Sequence, residues 1–114
     1  MKRALFAALA LLATPAAAAE NSGWTLVWSD EFDAKGIDRS KWGFDVDCWG
    51  GGNEEHQCYT KSARNADIED GKLVITARYE RVTGPALPEH LRRTSATPEA
   101  EATRDISSAR LSTK

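Results

Sequence analysis

The chain has 114 residues, with 15 Lys plus Arg against 17 Asp plus Glu and a formal net charge of −2. That balance excludes a strongly basic nucleic-acid binder, and 41% hydrophobic residues are too many for a disordered chain. Two cysteines are too few for a disulfide-dense miniprotein or a four-ligand zinc site, and the length allows one domain at most.

Residues 1–19 carry the pattern of a secretory signal peptide. Lys2 and Arg3 form a positive start, Leu5, Phe6, Leu9, Leu11 and Leu12 an apolar core, and Ala17, Ala18 and Ala19 a small-residue cleavage site. The core is shorter than the roughly 18 apolar residues that a membrane span needs. Residues 20–114 are therefore expected to be exported, with no membrane attachment after cleavage. In an oxidising compartment Cys48 and Cys58 are expected to pair, the alternative being two free buried thiols. The loop they would close is about ten residues. His56 lies between them, but two cysteines and one histidine at this spacing match no familiar zinc pattern.

Residues 24–28 (WTLVW) are aromatic and β-branched and predict a strand. Residues 37–42 predict one helical turn, with Asp38 and Ser40 as local caps. Residues 43–47 alternate weakly. Residues 48–57 hold three consecutive glycines and predict a loop. Asp70-Gly71 sits between two extended runs and predicts a tight hairpin turn. Leu73, Ile75, Ala77 and Tyr79 alternate with polar neighbours, the period of a strand. Residues 81–105 contain Pro85, Pro88 and Pro98 with no apolar period, and predict a long surface loop with little regular structure. Residues 106–114 return to strand alternation. The whole reads as all-β, a sandwich or jelly roll with too few strands to close one.

Trp24, Trp28 and Trp42 are expected in the core, and Trp49, beside the glycines, on the surface. The acidic residues occur in local groups: Asp30, Glu31 and Asp33; Asp45 and Asp47; Glu54 and Glu55; Glu69 and Asp70. Most read as solvated turn charges. Neighbouring Glu54 and Glu55 would point to opposite faces of a strand, so they do not flank one bond. Glycosidic acid–base chemistry needs two carboxyl groups about 5–9 Å apart, and Glu31 with Asp33 is the nearest approach to that. A phosphate loop and a Ser-His-Asp set are both missing.

Five blocks together resemble glycoside hydrolase family 16, the laminarinases and lichenases. They are residues 26–33 (LVWSDEFD), 37–42 (IDRSKW), 49–60 (WGGGNEEHQCYT), 65–77 (with DGKLVITA) and 107–114 (SSARLSTK). The resemblance implies a concanavalin-like β-jelly-roll sandwich, with a sugar cleft across its concave sheet. It implies retaining hydrolysis of β-glucans by two glutamates in a Glu-x-Asp-x-x-Glu strand, with β-glucan as partner and a monomeric state. That pattern is missing here, since the position after Glu31-Phe32-Asp33 that should hold glutamate is Gly36. The chain therefore resembles the N-terminal part of such an enzyme, without catalytic residues of its own. A non-catalytic glucan-recognition protein is the alternative. By the same resemblance Asn53 and Arg110 line the cleft, with Trp49 as a third contact. Glu31 and Gly71 match two ligands of a structural Ca²⁺, whose remaining ligand has no match in the chain. The chemistry itself would need no cofactor.

Overall fold

The computed structural model describes residues 23–114. The signal-peptide reading of residues 1–19 lies outside them. Among the described residues seven strands, one short α-helix and a 3₁₀ turn at Gly50–Gly52 follow in chain order. They are β1 (Trp42–Phe44), β2 (Gln57–Tyr59), β3 (Ala66–Glu69), β4 (Lys72–Ile75), β5 (Arg78–Pro85), α1 (Glu89–Arg92), β6 (Glu101–Ser108) and β7 (Leu111–Thr113). β2, β6 and β5 form one sheet in that order, β1 pairs with β7, and β3 pairs with β4. β2 runs parallel to β6, and the other pairs are antiparallel.

The hairpin predicted at Asp70-Gly71 is present, with Glu69 opposite Lys72. Both turn residues have positive φ, 49° and 70°, the requirement of a two-residue turn that follows strand twist. The helical turn predicted over residues 37–42 closes through Trp42 N–H donating to the Asp38 carbonyl at 3.0 Å. Asp38 Oδ1 accepts from the Ser40 N–H and hydroxyl.

Three expectations are corrected. Residues 24–28 form no strand: among the described residues nothing pairs with them, and Trp24 and Val27 are 90% and 92% exposed. Trp24 and Trp28 are accordingly not core. Trp28 instead meets Trp42 edge to face at 5.3 Å, and Phe32 stacks on Trp42. Asp30 fixes this corner by accepting from the Trp42 Nε1–H and the Phe32 N–H. Finally, residues 81–105 are not a loop with little structure. β5 and β6 extend eight residues each, and α1 lies in the connection between them. Polar cross-strand pairs hold the arms, with Thr83 and Thr103 hydroxyls 2.7 Å apart and Arg81 against Asp105. An arm exposed on one face and built from Thr, Arg and Glu has no apolar period to read. Pro85 sits at the end of β5, an outer strand, where a missing N–H does least damage.

The buried set is small. Among the described residues Cys48, Cys58, Ala66, Pro88 and Ala109 are its apolar members, Asp47, Asn65 and Ser107 its polar ones, and Gly50 is buried with them. Cys48 and Cys58 are disulfide-bonded, with Cα atoms 4.0 Å apart. The bond ties the start of the glycine loop to β2. Asn65 is the polar centre. Its Nδ2 donates to the Thr76 carbonyl at 3.1 Å and to Ser107 Oγ at 2.8 Å, and its Oδ1 accepts from Thr60. Ser107 in turn donates to Glu80, which pairs with Arg64 at 2.7 Å. One hydrogen-bonded chain thus links β6 and β5 to the β3–β4 hairpin.

Candidate functional site

Glu55, Gln57 and Tyr59 alternate along β2 and the residues leading into it. Side chains two apart in an extended chain share a face, and these three meet. Gln57 Nε2 donates to Glu55 Oε2 and, at 3.0 Å, to the Tyr59 hydroxyl, which itself donates to Glu55 Oε2 at 3.0 Å. Tyr59 pairs with Ser108 in the parallel ladder. Two residues further on, Arg110 leaves the sheet, and its charge reaches Glu55 and Tyr59. Its Nε lies 3.4 Å from Asp45 Oδ2.

Hydrogen bonds from Gln57, Tyr59 and Asn53 hold the Glu55 carboxyl below the ordinary carboxylate range, and Arg110 adds to this. Burial raises the Tyr59 phenol, and the charge of Glu55 beside it raises it further. At neutral pH the pair is therefore an ionised acceptor and a neutral donor. Such a mixed set of fixed donors and acceptors suits a neutral polyhydroxyl ligand.

Trp49 stands in the loop before this strand. Its backbone N–H donates to Asp47 Oδ1 at 3.0 Å, and its indole meets the His90 ring edge to face at 6.4 Å. The glycines shape the loop around it. The Gly50 carbonyl accepts from the N–H groups of Asn53 and Glu55, and a Cβ at Gly50 would stand 2.5 Å from the Glu55 carbonyl oxygen. At Gly52, φ is +84°, and a Cβ would stand 2.8 Å from the Trp49 ring. Only glycine lets the chain close this tightly.

Asn53 and Arg110 thus act on Glu55, while the Trp49 ring stands beside Gly52 and His90. Trp49 is half-buried rather than fully on the surface, while Asn53 and Arg110 are exposed. Sequence reasoning passed over Glu55, Gln57 and Tyr59. Their period-two spacing was visible, but Glu55 adjoins Glu54 in a glycine-rich run and reads there as a loop charge. Glu31 and Gly71 are both exposed, Gly71 at the hairpin turn. Among the described residues no three metal-ligating side chains gather. One carboxylate and one carbonyl do not meet the six to eight oxygens that Ca²⁺ takes, so these residues do not by themselves fit the ion.

No family model matches the chain. It is 49% identical over 63 residues to a beta-glucanase of Rhodothermus marinus, covering 54% of this chain and 22% of that protein. Among solved structures it is similar to the laminarinase of Rhodothermus marinus, at 40% identity and a TM-score of 0.55 over 77% of this chain and 28% of that one. It is similar also to SCLam, a non-specific endo-beta-1,3(4)-glucanase from family GH16, at 33% identity and a TM-score of 0.55, covering 79% of this chain and 31% of the other. The chain thus spans less than a third of the length of these relatives. Over that span it is similar in sequence, and in its all-β, jelly-roll-type fold, to family 16 laminarinases.

Proposed function

We propose, from the likeness to family 16 laminarinases, that this chain supplies part of the sugar cleft of an exported β-glucan-directed glycosidase. The observation that carries the reading is the cluster of Glu55, Gln57 and Tyr59 with Asn53 and Arg110 acting on it, in a chain whose preceding loop carries Trp49. Trp49 would take the C–H face of a glucosyl ring, and Asn53 and Arg110 would bond its hydroxyls. Glu55 and Tyr59 would hold that set in place. The signal-like residues 1–19 and the Cys48–Cys58 bond support export, since disulfides persist outside the cytosol.

Retaining hydrolysis requires a carboxylic acid with a raised pKa beside a carboxylate nucleophile. Asp30, Asp38, Glu55, Glu80 and Glu89 are all shifted downward, each by hydrogen bonds first. None is suited to donate a proton at neutral pH. Glu55 is therefore read as a hydrogen-bonding anchor of the cleft and not as its proton donor. The test is reducing-sugar release from laminarin by the oxidised chain. No turnover is expected. Turnover by a folded sample, abolished by Glu55→Gln or Glu31→Gln, would overturn the assignment.

A further inference from the structure

Arg39, Lys61 and Lys114 come from three separated parts of the sequence and line one cavity of about 420 Å³, walled by Trp42 and Phe44. Arg39 lies in the helical turn over residues 37–42, Lys61 follows β2, and Lys114 follows β7. Backbone carbonyls, not carboxylates, tie them together. Lys114 Nζ donates to the Arg39 carbonyl at 2.8 Å, and Arg39 Nη2 donates to the Lys61 carbonyl at 3.0 Å. The Arg39 guanidinium also lies over the Phe44 ring at 3.9 Å. Among the described residues the ion pairs are made by Arg64, Arg81, Arg93 and Arg110, and none of the three cations takes part in one. Glu89 is the one acidic side chain in the wall, and Arg93 pairs with it at 2.7 Å. Like charges gathered against an aromatic wall repel one another more than they would in open water. An oxyanion would relieve that repulsion. A guanidinium fixed on a ring face, with N–H groups to spare, is set up to grip two of its oxygens. The cavity is larger than a bare ion fills and lies within the usual range for a small organic ligand. It shares Phe44 and Glu89 with a neighbouring cleft that Asp45 and His90 line, and those two meet Arg110 and Trp49 of the glucan face.

We infer that this cavity is an anion site, separate from the glucan face, that takes the sulfate ester or carboxylate of an acidic sugar, with Arg39 gripping the anionic group and Lys61 and Lys114 beside it. All three side chains are exposed, so binding should weaken as salt is added. The test follows the oxidised chain by calorimetry and by NMR of the Arg39 Nε–H, with dextran sulfate, polygalacturonate, neutral dextran and inorganic sulfate as probes. Either polyanion should bind and shift the Arg39 resonance, and neutral dextran should do neither. Inorganic sulfate should bind at least tenfold more weakly per anionic group; equal binding would reduce the site to one for the free ion and overturn the sugar assignment. Arg39→Gln and Lys61→Gln should each weaken polyanion binding about tenfold, while Lys72→Gln, at an exposed lysine of the β3–β4 hairpin, should change it little. If Arg39→Gln fails to fold, Lys61→Gln and the wild-type titration decide. Equal losses in all three variants, with the Arg39 resonance unmoved, would show attraction to diffuse surface charge and overturn the inference. Laminarin binding should survive Lys61→Gln, so the anion site and the glucan reading fail separately.

Discussion

Asn65 is fully buried and bonded on both sides of its amide. Asn65→Ala would strand the Thr76 carbonyl and the Thr60 hydroxyl in a dry site. A loss of about 3 kcal/mol is expected, read as a lower urea midpoint at unchanged slope. Glu55 gives a pH-dependent counterpart. Its folded pKa lies below the ordinary 4.5, so its contribution is present above that value and is lost as pH falls through the folded one. Glu55→Gln should therefore lower the unfolding midpoint at pH 7, and the gap to wild type should close as the pH is taken well below 4.5. A gap that persists in acid would show that Glu55 acts through packing and not through its charge. At Gly52 an added methyl would collide with the Trp49 ring. Gly52→Ala should change tryptophan fluorescence and weaken glucan binding together.

Among the elements, the β3–β4 hairpin was legible because the Asp70-Gly71 turn encodes its own geometry. The disulfide followed from the cysteine count and the signal-like pattern of residues 1–19, and closing its ten-residue separation is worth about 2–3 kcal/mol by chain entropy. Cys48→Ser with Cys58→Ser should cost about that in urea unfolding. The β5–β6 arms were illegible because their ladder is held by backbone bonds and polar pairs, which leave no hydrophobic period. Residues 24–28 erred in the other direction: strand propensity needs a partner strand, and among the described residues none is present. These two corrections predict one proteolysis pattern. Chymotrypsin should cut first within residues 24–28, and later at Tyr79, which is 93% exposed yet held in the β5 ladder. Early cleavage at Tyr79 would contradict the paired arms. The site divided in the same way. Trp49, Asn53 and Arg110 were expected through family resemblance, whereas Glu55 became visible only once folding placed Gln57 and Tyr59 beside it.

On the scale of the whole molecule, no large aliphatic side chain is among the buried residues described, while Trp24, Leu26, Val27 and Ile75 are exposed. Apolar surface of this kind marks contact with other polypeptide or invites self-association. The chain alone should therefore show a mass in light scattering that rises with concentration, against the monomer that the resemblance implies. A constant monomer mass would show that these side chains find cover within the chain. What the described residues do hold firmly is the face bearing Glu55, fixed by the disulfide, the glycine loop and the parallel β2–β6 pair. Affinity electrophoresis of the oxidised chain through laminarin tests that face most directly. Wild type should be retarded by laminarin and not by dextran, and Asn53→Ala and Arg110→Ala should each run faster than wild type in laminarin. Equal mobility of all three proteins in both gels would contradict the assignment of this face to β-glucan.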